Sequence, residues 1–200
     1  MHDFTMQLSP VTLTGRQVRL EPFAAGHVDS LVRHGADAEI WRYTLCLRPD
    51  PVESVRVWCE RQLAANARGE GLAFAVVDVA RGEAVGGTTY LDVSLPDRRL
   101  EIGNTWLARA VWRSGINTEC KFLLLRHAFE ALGCGRVQLK TDARNLRSQA
   151  AIARLGAVRE GVLRSHMVMP DGWVRDSVMF SIVAAEWPAV KARLEQLKER

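Results

Sequence analysis

Trp112-Arg113-Ser114-Gly115-Ile116-Asn117-Thr118-Glu119 opens an apolar segment that runs to Gly133, and its reading decides the fold. Gly115 permits a tight turn and close backbone approach. Ser114, Asn117 and Thr118 are small polar residues suited to a first helical turn. The unpaired N–H groups at such a helix start, with Arg113 beside them, form a site for an anion. The stretch therefore predicts a turn running straight into a helix over Ile116–Leu132, stopped by Gly133 with Gly135 beyond.

Working outward, Leu100–Leu107 precedes the turn as a strand, and Gly103 inside it predicts a bulge or a close backbone approach. Arg136–Thr141 follows the helix as another strand. Asn145 then caps a helix over Leu146–Leu155, which Gly156 closes. Strand–helix–strand–helix at this spacing predicts parallel neighbours, because parallel strands need a crossover. Before this unit, Gln17–Pro22 alternates as a first strand, Val28–His34 and Val52–Ala67 carry helical patterns, and residues 72–79 and 84–93 form a hairpin about Arg81-Gly82-Glu83. After it, residues 158–169 and 173–183 form a hairpin about Pro170-Asp171-Gly172, and Glu186–Arg200 is an amphipathic tail helix. The expected class is mixed α/β (α+β): a central twisted mixed sheet of about seven strands flanked by helices. It forms a single domain over residues 1–200, with its core at about 13–184 and the C-terminal helix at about 186–199.

Composition narrows the function. Apolar residues make up 48% and charged residues 25%, an ordinary balance for a globular domain. No apolar run reaches membrane-spanning length, and Met1-His2-Asp3-Phe4 lacks the basic and apolar regions of a leader, so a cytoplasmic protein without a membrane partner is expected. Residues 1–100 hold 11 basic and 13 acidic side chains; residues 101–200 hold 16 and 10. A moderately basic second half can hold an anionic ligand. Its cations are interleaved with apolar residues, so no nucleic-acid partner is expected. Cys46, Cys59, Cys120 and Cys134 lack CxxC spacing and read as buried free thiols, with no metal site.

Three stretches in order resemble the GCN5-related N-acetyltransferase (GNAT) superfamily, closest to its RimJ/RimL-type branch, which acetylates ribosomal-protein N-termini. Leu100-Glu101-Ile102-Gly103-Asn104-Thr105-Trp106-Leu107 resembles the family's fourth strand. Trp112 to Glu119 resembles its pyrophosphate loop. Thr141 to Ser148, followed by Arg154-Leu155-Gly156-Ala157-Val158-Arg159-Glu160-Gly161, carries Asn-x-x-Ser before a glycine-closed helix and then Glu-Gly, the most specific of the three. The resemblance covers roughly Leu13 to Val183. Trp112 stands where the family loop usually has Gln or Arg, Asn117 where it has Gly or Ala, and Asn104 where the branch often has an aromatic residue.

This resemblance implies direct acetyl transfer from acetyl-CoA to an amine, without a metal or covalent intermediate, and a possible homodimer. Glu101 is the implied general base and Ser148 the proton donor to the leaving thiolate. The implied cofactor contacts are Asn145 and Ser148 on the pantetheine arm, backbone groups of Trp106, Leu107 and Ala108, the N–H groups of Arg113, Ser114, Gly115, Ile116, Asn117 and Thr118, and Arg154. From its residues alone, Glu101 reads equally as an outer-face polar side chain or an arginine's partner, and Asn145 as a plain N-cap. His127 reads as a core or rim histidine, His166 as a candidate substrate contact, and Asp176 and Glu160 as structural. The acceptor is a protein N-terminal amine or a small-molecule amine such as a polyamine, an amino acid or an aminoglycoside. A non-catalytic acyl-CoA-binding module is the alternative of another class.

Overall fold

One sheet organises the computed structural model, which describes residues 8–198. The strands are β1 (Leu13–Thr14), β2 (Val18–Pro22), β3 (Leu72–Asp78), β4 (Glu83–Ser94), β5 (Arg99–Leu107), β6 (Arg136–Asp142), β7 (Val158–Val168) and β8 (Val174–Val183). Their order is β1-β2-β3-β4-β5-β6-β8-β7, antiparallel except for the β5–β6 pair. The sheet is mixed, as expected, with eight strands instead of about seven. The extra strand, β1, has two residues, too few to show alternation.

The helices are α1 (Val28–Gly35), α2 (Ala38–Trp41), α3 (Pro51–Ala67), α4 (Ile116–Arg126), α5 (Leu146–Leu155) and α6 (Trp187–Lys198). Asp50 caps α3 through Val52 N, with Pro51 at the first position, and Asn145 caps α5. The four-residue α2 is too short to leave a periodic pattern; Asp37 caps it through Glu39 N at 2.9 Å. The helix expected to reach Leu132 is α-helical only to Arg126 and then widens into a π turn over His127–Ala131. The buried Tyr90 hydroxyl donates to Leu124 O at 2.6 Å. Leu124 O thus accepts both this hydroxyl and the His127 N–H, so the side chain shares a carbonyl of the last α-helical turn where the helix widens.

The sheet separates two cores. On one face, Leu20, Phe74, Leu100, Ile102, Leu139 and Phe180 pack against residues of α4, α5 and α6, including Leu124, Ile152 and Val190. On the other, Ala73, Ala75, Val77 and Trp106 meet Leu31, Trp41, Val55 and Trp58 from α1, α2 and α3. Every residue of β3 is buried, and Leu72–Val77 of this central strand reads as one apolar run. Small side chains on its α1–α3 face leave room for the tryptophans. All four cysteines are buried and free.

Candidate active site

The site begins where two strands part. β5 and β6 pair in parallel only over Arg99–Glu101 with Arg136–Gln138. Beyond that point they diverge, and a cleft of about 1360 Å³ opens between them. Both cores border the gap, so it connects one face of the sheet with the other.

β5 carries a bulge just past the divergence. Between Gly103 and Trp106 it uses three steps where β4, from Thr89 to Gly87, uses two. Asn104 absorbs the extra residue at φ 49°, a left-handed conformation that Asn tolerates. The expected irregularity therefore falls one residue after Gly103. The indole N–H of Trp58 in α3 donates to Asn104 O at 2.9 Å and fixes the bulge.

Glu101 is buried at the divergence and lines the cleft. Its Oε2 accepts from Gln138 Nε2 at 2.9 Å and from Lys140 Nζ at 3.0 Å. Its Oε1 has no hydrogen-bond donor among the described residues. Of the two readings left open for this residue, the outer-face one is excluded; its ionic partner is a lysine, and its other oxygen is uncommitted.

The loop before α4 forms an N–H cluster. Arg113 takes φ 62°, and Ser114 Oγ donates to Val111 O at 2.6 Å while accepting from Ile116 N at 3.3 Å. The N–H groups of Arg113, Gly115, Asn117 and Thr118 meet no acceptor among the described residues. Gly115 is needed for contact on the far side of the loop, since a Cβ there would lie 2.7 Å from Gln17 Nε2. Arg113, Ser114 and Asn117 line the cleft; the Ile116 side chain belongs to the core. Thr118 Oγ1 accepts from Arg154 Nη2 at 3.2 Å, which ties the loop to the end of α5. Trp112 is a structural wedge. Its indole N–H donates to Leu107 O at 2.8 Å, and its ring carries the Arg147 guanidinium at 3.5 Å.

Across the gap, Asn145 Oδ1 accepts from Ser148 N at 3.0 Å, so the cap is formed. Its Nδ2 and the Ser148 hydroxyl have no partner among the described residues, and both residues line the cleft with Arg154. Trp106 and Leu107 line it as well. Ala108 does not: its N–H donates to Val85 O at 2.7 Å, turned toward β4.

Sequence reasoning passed over three cations here. Lys121 in α4 is buried and reaches Thr105 Oγ1 at 2.7 Å; burial pushes its ammonium pKa down. Lys140 holds Glu101, and Arg175 on β8 is 7% exposed and lines the cleft. The available signal was a lone cation inside an otherwise apolar run, as in Cys120-Lys121-Phe122. Other candidates lie elsewhere. His127 stacks on Tyr90 with its pKa lowered by burial, and His166 Nδ1 sits 3.0 Å from Ser177 Oγ outside the cleft lining. Asp176 Oδ1 accepts from Ser165 N at 2.7 Å, and Glu160 pairs with Arg136 and Ser181.

A free N–H cluster and a half-free buried carboxylate thus stand at two ends of one interstrand gap among the described residues. The chain belongs to the acetyltransferase (GNAT) domain family, which residues 17–158 match. A crystal structure of an acetyltransferase from T. thermophilus, so described as a candidate, is 41% identical, with a TM-score of 0.86 over 96% of this chain and 99% of that one. Mycobacterium smegmatis RimJ in complex with CoA-disulfide is 25% identical, with a TM-score of 0.78 over 94% and 95% of the two chains. YdaF of Bacillus subtilis (strain 168), named as a candidate ribosomal N-acetyltransferase, is 30% identical over 110 residues, 55% of this chain and 59% of that protein. The chain thus spans little more than half the length of the curated relatives it matches. No helix among the described residues is long and apolar enough to cross a membrane.

Proposed function

We propose that the protein is an acetyl-CoA-dependent N-acetyltransferase acting on the N-terminal amine of a protein, as a RimJ-like enzyme would. The observation that carries this reading is the early end of β5–β6 pairing at Glu101–Gln138, which joins the N–H cluster to the Glu101 carboxylate through one gap. The unpaired N–H groups of Arg113, Gly115, Asn117 and Thr118 suit a pyrophosphate. Asn145 Nδ2 and the Ser148 hydroxyl are free to hold an amide-bearing arm. Acetyl-CoA, when bound, supplies the acetyl group as an activated thioester.

The chain's own residues then have separable tasks. Glu101 Oε1 accepts a proton from the incoming amine, while Lys140 and Gln138 keep Oε2 fixed. Ser148 offers a hydrogen bond to the departing sulfur. The walls on the two faces bring both reactants together and remove much of the entropic barrier. Nine Lys or Arg residues and three Asp or Glu residues line the cleft, a balance that repels a polycationic polyamine. The similarity to YdaF, named as a candidate ribosomal N-acetyltransferase, supports a protein acceptor.

Calorimetric titration with acetyl-CoA, followed by amine-dependent thiol release across peptide and small-amine panels, tests this reading. Binding followed by release with N-terminal peptides is the expected result. Binding with no release on either panel would leave only a non-catalytic acyl-CoA module.

A further inference from the structure

Arg175 is a buried cation on the Glu101 side of the gap that meets no carboxylate among the described residues. Among the described residues its Nε donates to Ser177 Oγ at 3.0 Å, its two terminal nitrogens meet no acceptor, and no carboxylate lies within ion-pair distance. The nearby carboxylates are already engaged. Asp142 accepts from Arg144 N, Nε and Nη2 at 2.8, 3.1 and 2.8 Å. Glu101 is held by Lys140 and Gln138. Burial depresses the Arg175 pKa, and Asp142 and Glu101 offset this only in part. Arg175 is 7% exposed as a whole residue and lacks an ionic partner, so its charge carries a desolvation cost. An anionic ligand removes that cost, and the planar fork fits a carboxylate with two parallel hydrogen bonds.

The face of the sheet identifies which substrate carries the anion. Val178, Phe180 and Ile182 of β8 point into the α4–α6 core, so Arg175 and Ser177 point to the opposite face, where Glu101 lies. The N–H cluster and α5 stand on the α4–α6 side. We infer that Arg175 binds a carboxylate of the acceptor, and that the protein selects amines bearing a carboxylate a few bonds away. This rests on the transferase reading above. Arg175 lies four residues beyond Met179, the register partner of Lys140, about 14 Å along the strand before its side chain reaches back. That spacing favours an acidic side chain at the second or third position of a peptide over the terminal carboxylate of a free amino acid.

The test uses three probes with the full chain: a tripeptide amide with aspartate at its second position, the same peptide with asparagine there, and a neutral dipeptide with a free carboxylate. Each is titrated into the coenzyme A-loaded protein for affinity and, in a separate assay, supplied with acetyl-CoA and followed for thiol release. The aspartate peptide should bind at least about tenfold more tightly than the asparagine peptide, through KM more than kcat. Arg175→Gln should abolish that preference while leaving coenzyme A affinity unchanged, and Arg175→Lys should restore part of it. Preference for the free-carboxylate dipeptide over both amides assigns the anion to the terminal carboxylate and keeps the role of Arg175. Equal binding of the aspartate and asparagine peptides without preference for the dipeptide, no binding of any probe, or an undiminished preference in Arg175→Gln overturns the inference. Acidic peptides that bind but are not acetylated refute the transferase reading and leave Arg175 in place. Equal acetylation of all three does the reverse.

Discussion

Glu119→Gln is the substitution whose cost the structure sets most directly. Glu119 lies in the first turn of α4, is 1% exposed, and points away from the cleft toward the turn between β1 and β2. Its carboxylate accepts from Arg16 N at 2.9 Å, Gln17 N at 2.6 Å and Val18 N at 2.9 Å. Gly15 is needed beside it, because a Cβ there would lie 2.6 Å from the carboxyl carbon. An amide keeps one oxygen, which can serve two of the donors as neutral bonds. Its NH₂ then faces the third N–H and leaves it unpaired. Losing one charge-assisted bond and weakening two by about 1 kcal/mol each gives about 3–5 kcal/mol in all. That is a large part of a stability of about 5–15 kcal/mol. With a urea slope of about 2 kcal/mol/M, the unfolding midpoint falls by about 1.5–2.5 M. Circular dichroism in urea measures it, with exposed Glu195→Gln as the control expected within about 0.2 M. A shift in Glu119→Gln no larger than in the control would refute the account of this buried carboxylate.

Four further outcomes follow from the geometry. Glu101→Gln should cut amine-dependent thiol release by about 100-fold in kcat and leave calorimetric coenzyme A affinity unchanged. Trp112→Phe removes the donor to Leu107 O and part of the platform under Arg147, so coenzyme A should bind about tenfold more weakly by the same titration. Glu160 is held at about 2, chiefly by its hydrogen bonds from Arg136, against an ordinary 4.5. A depressed carboxylate stabilises the fold above its ordinary value and loses that contribution as pH falls from 4.5 toward 2. Glu160→Gln should therefore flatten the acid limb of the stability curve there, by under about 1 kcal/mol because the pair is partly in solvent. Burial holds Cys59 up at about 12 and Cys120 and Cys134 at about 11, and it also raises Cys46. A disulfide reagent at pH 8 should scarcely label the native protein and should titrate all four thiols once it is denatured.

The parts of the molecule legible in the sequence are those dictated by neighbouring residues. The start of α4, the cap and glycine stop of α5, and the turns at Gly82 and Gly172 all follow from local backbone chemistry, and each lies where its residues predict. Glu101 was legible as a residue and not as an environment. Its burial depends on Gln138 and Lys140, 37 and 39 positions away, meeting it across a parallel register. Arg175 and Lys121 escaped notice because a charge in an apolar run is read against the run's majority. The fold instead surrounds each charge with side chains from other elements. Trp112 marked a departure from the family loop, where Gln or Arg is usual, and only tertiary packing shows what the indole does there: it bonds to Leu107 O of β5 and stacks under Arg147.

The bulge at Asn104 decides how one strand can serve two faces. Glu101 and Trp106 are five residues apart and would point to opposite faces of a regular strand. The extra step at Asn104 resets the alternation, so Trp106 joins Trp41 and Trp58 on the face that Glu101 also occupies. The same step turns Thr105 to the other face, where its hydroxyl meets Thr88 at 2.8 Å and receives the buried Lys121 at 2.7 Å. Without the bulge, Thr105 would lie beneath the α1–α3 helices, and the bulky indole would face α4, where Lys121 now reaches the strand. The carbonyl freed by the irregularity is not wasted, since Trp58 binds it and anchors α3 over the cleft. One residue with a positive φ thus sets which side chains wall each substrate's half of the gap. That is a stronger constraint on this site than the identity of any single wall residue.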